Sequence, residues 1–561
     1  MAANIAEFFT RHLARPDTVL YREANGSDWR AVTAGHLGRD IARWQAAFRK
    51  EGLAAGDRVA LCARNGTAWV AADLAALGLG LVVVPVYVED STESIAWCVD
   101  HAQARLVVVE NLRLAYGVRK ALPAAAPSPR IVILRADESL APDGSILPAS
   151  SYLPAEGGDV EVRALPADSL ATICYTSGTS GHPKGVMLSH DNIVANVNAC
   201  AATRMARPTD VFLSILPLSH MFERTGGYYL PLSLGATVAF SRGIARLAED
   251  FVAQAPTAMF AVPRIFERVR ARIERELADA PVRRFLFERC VANGLRIAQR
   301  RASPLQQVAG AGLRALVATP LLAKFGGRLR LAVVGGAALD PALARMFIGL
   351  GLTMLQGYGL TEASPVIAVN RDDDNDPESV GAPLPGVEVR LAASGELLAR
   401  GASIMRGYWH DEAATRAALD AGGWLHTGDV AEIRDGRIYI RGRAKDILVM
   451  SNGEKLSPQD VELAILRDPV FEQVMVIGEG RPYPVLLAVT HEGDEKVLLR
   501  RANDQLKAFP RWIRMRHVIA TREPWSVDNG LMTPTQKLKR PALQQALKAR
   551  IDAAYAAMLE A

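Results

Sequence analysis

Tyr175-Thr-Ser-Gly-Thr-Ser-Gly-His-Pro-Lys-Gly-Val186 is the stretch from which the rest of this chain is read. It packs three glycines, four Ser/Thr hydroxyls and one lysine into twelve residues. Leu170-Ala-Thr-Ile-Cys174 precedes it and Val186-Met-Leu188 ends it, and both are short apolar runs of strand type. Glycine lets backbone N–H groups turn toward a ligand, the hydroxyls add donors, and Lys184 supplies a cation. Together they make a phosphate cradle between two strands. The Walker A pattern G-x-x-x-x-G-K-[ST] fits no register here. A flexible Gly/Ser/Thr linker is the bland alternative, but linkers rarely lie between two buried strands or carry a Pro-Lys pair.

With 561 residues the chain is too long for one core and is expected to hold two to four domains or subdomains. Half of its residues are hydrophobic and 22% are charged, an ordinary globular balance. A net charge of +5 is small for this length and gives no reason to expect nucleic-acid binding. The five cysteines, Cys62, Cys98, Cys174, Cys200 and Cys290, are scattered and lack C-x-x-C spacing. That argues for reduced thiols and a cytoplasmic protein, and against a disulfide framework or zinc site. Asn4 to His12 shows neither a basic leader nor a long apolar core, so no secretory signal is expected. Leu74 to Val88 is too short and too rich in Gly and Pro to span a bilayer, and reads as a buried helix followed by a buried strand. Peripheral contact with the inner membrane face stays open.

Short β-rich runs alternate with longer segments of helical period. Arg58–Cys62, Leu81–Val84, Leu106–Val109, Ile131–Leu134 and Leu331–Val334 are such runs. The pattern predicts an α/β fold of stacked, largely parallel sheets. The segment 264–303 is rich in arginine, with Ile265, Val269, Ile273 and Leu277 at intervals of four. It reads as an amphipathic helix with a solvated charged face, a membrane-surface role being the alternative. After about residue 380 the texture turns to short β segments, and Ser457-Pro-Gln-Asp460 reads as a capping box with Pro458 at the first helical position. It opens a compact α+β tail with strands near 473–478 and 485–490. The expected division is a domain over 1–441 and a smaller one over 442–561.

Four further motifs carry chemistry. Gln356-Gly-Tyr-Gly-Leu-Thr-Glu-Ala-Ser364 follows a strand-like run; its glycines admit a ligand to the backbone, Tyr358 offers a flat face to a base, and Glu362 offers a hard oxygen to magnesium. Gly423-Trp-Leu-His-Thr-Gly-Asp429 sets a carboxylate just after a turn. Arg441-Gly-Arg-Ala-Lys-Asp446 crowds cations at the domain boundary, and Thr533-Pro-Thr-Gln-Lys-Leu-Lys-Arg540 is a basic segment near the end. Each is weak alone.

In this order the motifs resemble the adenylate-forming superfamily of acyl-CoA synthetases, peptide-synthetase adenylation domains and firefly-type luciferases. The resemblance covers nearly the whole chain. Leu216 to Arg224, Ala261 to Glu267 and Gly326 to Leu339 are similar to segments of the long-chain fatty acyl-CoA synthetases. It implies a large N-terminal domain of several subdomains and a small, mobile α+β C-terminal domain that rotates between two half-reactions. A carboxylate attacks the α-phosphate of ATP, giving acyl-AMP and pyrophosphate; the thiol of coenzyme A then displaces AMP.

By motif position the resemblance assigns Thr176, Ser177, Gly178, Thr179, Ser180, Gly181 and Lys184 to the β- and γ-phosphates. Thr176 and Glu362 take Mg2+, and Thr361 approaches the α-phosphate. Gly336, Ala337, Gly357 and Tyr358 line the adenine pocket. Asp429 accepts from the ribose hydroxyls with Arg443 assisting, and Lys445 stands at the hinge. Lys537 bridges carboxylate, α-phosphate and ribose, and His220 lies between the acyl and thioester sites, its alternative being a structural histidine. Where the family usually has glycine before its catalytic lysine this chain has Gln536, and register favours Lys537 over Lys539. In-line attack on phosphorus needs a cation, a metal and backbone donors, and no triad-like nucleophile is required or found. The expected partners are a fatty acid and coenzyme A. A carrier protein in place of coenzyme A is the weaker reading, because the short Tyr439–Ser457 connection shows no insertion; aryl and medium-chain acids remain open.

Overall fold

The apolar runs Arg58–Cys62, Val82–Pro85 and Leu331–Val334 form strands buried on both faces, as parallel strands covered by helices are. In the computed structural model, residues 4–26, 28–123, 128–135, 144–176, 183–451, 454–533 and 537–556 are described. Two compact units emerge: Met1–Arg390 with Leu398–His426, and Leu391–Leu397 with Thr427–Ala561.

The first unit holds two large sheets. One has nine strands, in which Thr353–Gly359, Leu331–Val334, Ala258–Ala261, Val211–Ser214, Thr237–Phe240 and Val19–Asn25 run parallel in that order. The other has eight, with Leu170–Thr176, Val82–Pro85, Arg58–Cys62, Ala104–Asn111, Arg130–Arg135 and Ile146–Pro148 parallel. Lys184–Ser189 runs antiparallel to Leu170–Thr176, with Thr176 opposite Lys184, so the Gly-rich loop is the tip of a hairpin. Its residues 177–182, among them Ser177, Gly178, Thr179, Ser180 and Gly181, lie outside the described residues.

Helix Thr67–Gly78 is buried on every side, as its apolar composition requires. Its one carboxylate, Asp73, is fully buried and forms an ion pair with the equally buried Arg224. The hydroxyls of Tyr228 and Tyr229 donate to Asp73 Oδ2 at 3.1 and 2.9 Å. Arg224 Nη1 donates to the Thr172 hydroxyl at 2.9 Å, and that hydroxyl donates to the Val83 carbonyl at 2.6 Å. The network joins the strand leading into the Gly-rich loop to the segment that follows His220.

Two expectations are corrected. The arginine-rich segment 264–303 is two helices, Pro263–Ala278 and Pro281–Ala298, because Pro281 opens a new helix and cannot continue the old one. Ser457 and Pro458 do start helix Pro458–Ile465, but no capping box forms. The Ser457 hydroxyl donates instead to the Arg441 carbonyl at 2.8 Å, tying the helix start to the preceding strand.

In the second unit Gln473–Ile477, Val485–Val489 and His517–Thr521 form a three-stranded sheet under helices Pro458–Ile465 and Glu495–Gln505. Arg540 clamps the buried Glu462 with two bonds of 2.6 and 2.7 Å, and Glu462 also accepts from the Val476 N–H at 2.7 Å. That anchors the chain just past Lys537.

Candidate active site

In parallel sheets the loops beyond the carboxyl ends of the strands are where ligands are met. Val334 pairs with Gln356, so Gly335–Ala337 and Gly357–Tyr358 emerge side by side at that edge. A Cβ on Gly335 would come 3.3 Å from the Gly357 carbonyl and 3.1 Å from the Phe222 ring. Gly336 has φ +77° and is exposed, a turn that glycine takes without strain.

Thr361–Ala363 forms a single turn after strand Thr353–Gly359. Gly359 is required there, since a Cβ would sit 1.9 Å from the Pro365 carbonyl. Asn196 Nδ2 donates to the carbonyls of Ala363 and Val366 at 3.2 and 2.8 Å, and Thr225 Oγ1 donates to that of Ser364 at 3.1 Å. The Met405 N–H reaches the Glu362 carbonyl at 2.8 Å. Four hydrogen bonds from three other parts of the chain therefore fix the turn that carries Thr361 and Glu362.

The Tyr408 hydroxyl donates to Glu362 Oε1 at 2.8 Å, and Lys184 Nζ lies 5.1 Å from the centre of the Tyr408 ring. Tyr408 sits on the two-residue strand Gly407–Tyr408, paired with Val186 beside the Gly-rich hairpin. One ring thus links Lys184 to Glu362, which the sequence left 178 residues apart by their numbering. Glu362 is half-buried, and half-buried Thr176 ends the strand opposite Lys184. The donor set fits a magnesium–nucleotide: hard oxygens, a cation and glycine-lined edges.

His220 caps the short helix Met221–Glu223, its Nδ1 accepting from the Phe222 N–H at 3.2 Å. The next carboxyl, Glu223, is buried, and neither oxygen finds a well-aligned donor among the described residues. Burial pushes its acid up to about 8, the Ser214 hydroxyl and Ile215 N–H pulling weakly the other way. Gly226 and Gly227 are closely packed: a Cβ would lie 2.7 Å from the Phe260 ring and 2.4 Å from Glu223 Oε1 respectively.

In the second unit Asp429 and Arg443 face each other across the antiparallel pair Leu425–Arg434 and Arg437–Arg443. Asp429 is buried, exposed Arg443 holds it through Nε at 3.3 Å, and exposed Lys445 follows on a turn. Exposed Lys537 lies on a loop closed by the Thr533 N–H on its carbonyl at 2.8 Å and by its own N–H on Thr533 Oγ1 at 3.0 Å. Gln536 lies outside the described residues. Tyr408 is the residue that sequence reasoning missed; nothing local in Gly407-Tyr408 marks it.

Solved structures share this architecture. The chain matches the anthranilate CoA ligase AuaEII in complex with anthranoyl-AMP at TM-score 0.78 and 21% identity, covering 98% of this chain and 100% of that one. It matches the A domain of a carboxylic acid reductase from Segniliparus rugosus, in complex with AMP and a co-purified carboxylic acid, at TM-score 0.79 and 20% identity, covering 99% and 94%. The fold is that of the adenylate-forming enzymes. A family profile described as AMP-binding enzyme matches residues 8–409, and one described as AMP-binding enzyme C-terminal domain matches 445–559. The chain belongs to the AMP-binding enzyme family. Among curated relatives, the long-chain-fatty-acid–CoA ligase FadD15 of Mycobacterium tuberculosis is 31% identical over 96% of this chain and 95% of its own length. The peroxisomal long chain acyl-CoA synthetase 7 of Arabidopsis thaliana is 31% identical over 90% and 79%. A chloroplastic long-chain-fatty-acid–[acyl-carrier-protein] ligase of the same plant, AEE15, is 27% identical over 93% and 82%.

Proposed function

We propose that this enzyme is an ATP-dependent long-chain fatty acid–CoA ligase that works in two steps through an acyl-AMP. The observation that carries the reading is near full-length similarity to relatives with that name, on a fold whose strand edge joins Lys184 to Glu362 through Tyr408.

The chemistry follows from the residues. Attack of a carboxylate on the α-phosphate builds negative charge on phosphoryl oxygens. Lys184, at the base of the Gly-rich hairpin, holds the β- and γ-phosphates and so the departing pyrophosphate. Magnesium bound by Thr176 and Glu362 would spread that charge, and Thr361 directs its hydroxyl at the α-phosphate. Gly336, Ala337, Gly357 and Tyr358 receive the adenine; Asp429, held by Arg443, takes the ribose hydroxyls. Lys537 neutralises the oxyanion as the bond forms, Lys445 serves as the hinge, and His220 stands where acyl group and thiol meet.

Transfer to a carrier protein is the second reading, favoured by the AEE15 relative. Fatty acid, ATP and magnesium supplied with either coenzyme A or a phosphopantetheinyl carrier separate the two: thioester on the carrier only would overturn the first reading. A panel from acetate to oleate and aryl acids, scored by pyrophosphate release, tests chain length. Among the described residues no helix is long and apolar enough to cross a membrane. A cytoplasmic enzyme with peripheral membrane contact is the proposed setting.

A further inference from the structure

Between Glu288 and Asp340 the chain carries eight Arg and Lys residues and no Asp or Glu, a run of +8 in a protein whose net charge is +5. Helices Pro281–Ala298 and Pro304–Leu313 and the turns after them fall within or just before this run. Their outer flanks expose large apolar side chains: Leu305 is 84% exposed, Val308 75%, Val282 71%, Leu316 65% and Phe285 55%. Leu305 and Val308 are one helical turn apart, while Gly310 and Ala318 point inward and are buried. On the first helix Val282, Phe285, Arg289 and Arg296 fall on one face, and the Arg289 guanidinium lies 5.2 Å from the Phe285 ring. Among the described residues Arg289, Arg296, Arg300 and Arg301 have no carboxylate partner, unlike the helix before, where Arg270 and Arg272 pair with Glu274 and Glu276.

Solvent-exposed apolar groups beside unpaired guanidinium groups are what an interfacial helix presents to a bilayer. A second copy of the chain is a poor occupant, because a two-fold contact would set this cationic run against itself. We infer that the outer flank of residues 282–316 docks on an anionic phospholipid bilayer, its apolar side chains entering the acyl boundary and its arginines meeting headgroup phosphates. Arg300 also lines a cleft of about 270 Å³ in which Arg204, Arg207 and Arg371 stand beside the carboxylates of Asp372 and Asp373, so the docking surface is confined to the helices themselves. The reason for such docking rests on the proposed fatty-acid reading, since that substrate dissolves in bilayers; the binding itself does not.

The test is co-sedimentation of the full chain with sucrose-loaded vesicles of phosphatidylglycerol and phosphatidylcholine, against phosphatidylcholine alone. The protein is expected to pellet with the anionic vesicles and to be released by salt. Arg289→Gln with Arg296→Gln is expected to weaken binding about 25-fold, at about fivefold for each charge. Leu305→Ser with Val308→Ser is expected to weaken it about tenfold with little response to salt. These side chains are solvent-exposed, so unchanged thermal unfolding shows that both variants fold. Equal pelleting with both vesicle types, or variants that pellet like the parent, would overturn the inference. So would a dimer that Leu305→Ser with Val308→Ser dissolves while vesicles go unbound. Pyrophosphate release from a long-chain fatty acid delivered on serum albumin without vesicles, measured alongside, separates the two readings. An inactive protein that pellets removes the ligase reading alone, and an active one that does not pellet removes the surface alone.

Discussion

Tyr408→Phe deletes one hydroxyl and leaves the ring that packs near Lys184. The lost contact is the 2.8 Å bond to Glu362 Oε1, a neutral donor on a carboxylate in a half-buried site. Hydrogen bonds to charged groups contribute about 1.5–3 kcal/mol. Phenylalanine keeps the cation–π attraction to Lys184, worth about 0.5–1 kcal/mol, so that contact is nearly cancelled from the comparison. If Glu362 must be held in place to bind the metal–nucleotide, kcat/KM for adenylation should fall by about 10- to 150-fold. The assay is fatty-acid-dependent exchange of pyrophosphate into ATP, run across magnesium concentrations. A carboxylate freed to swing needs more magnesium, so the apparent magnesium requirement should rise and excess magnesium should recover part of the loss.

The partner variant Glu362→Gln should cost more, on the order of 10²–10³ as for removal of one transition-state group. Tyr408→Phe added to it should then cost little, because the hydroxyl acts only through Glu362. Exchange at the parental rate in Tyr408→Phe, or strictly additive losses in the double variant, would refute the assignment of Tyr408 as the residue that positions Glu362.

Lys537→Ala is expected to slow pyrophosphate exchange by at least about 10²–10³ while thioester formation from supplied acyl-AMP survives; equal loss of both would withdraw its role in adenylation. Glu223 keeps its proton in the native state up to about pH 8, whereas the unfolded chain loses it near the ordinary carboxyl value. The native state therefore binds more protons across that window, and this group's contribution to stability falls as pH rises from about 5 to 8. Glu223→Gln should flatten that part of a denaturant-midpoint profile; an unchanged slope would mean that Glu223 is ionised in the fold. Arg224→Met strands Asp73 in the core and should destabilise the first unit by about 3–5 kcal/mol, read by urea unfolding through the fluorescence of Trp69, which lies 5.3 Å from the guanidinium.

Most strands were legible because a strand buried on both faces needs an uninterrupted apolar run, and Arg58–Cys62 and Leu331–Val334 coincide with the runs read from sequence. The break at Pro281 carried a local signal, but the even spacing of Ile265 to Leu277 and the arginines beyond it suggested continuity. Ser457 shows a different failure. The S-x-x-D pattern describes what the side chain offers and not who competes for it, and the Arg441 carbonyl, on a strand 16 residues earlier, wins. Tyr408 was illegible for a related reason. Its partner Glu362 lies 46 residues away in sequence, and its strand is two residues long. Arg224 was visible beside His220, yet its partner Asp73 hides 151 residues earlier in a helix that reads as plain core. Periodicity finds elements; it does not find pairs.

The Asp73–Arg224 pair shows what such a long-range contact adds. Taking two charges fully out of water costs several kcal/mol each, so the pair is weak support for net stability even with the hydroxyls of Thr172, Tyr228 and Tyr229 around it. Well-packed apolar residues in its place, Asp73→Leu with Arg224→Met, should recover much of the stability lost in Arg224→Met alone. What they cannot restore is the bond from Arg224 to Thr172, which ties the segment after His220 to the strand that ends in the Gly-rich hairpin. If registration of those two segments is the pair's value, the double variant regains its urea midpoint but not its kcat/KM for pyrophosphate exchange. Recovery of both together would show that the polar core holds the fold and nothing more, and that packing alone sets the distance from His220 to the strand that ends in the Gly-rich hairpin.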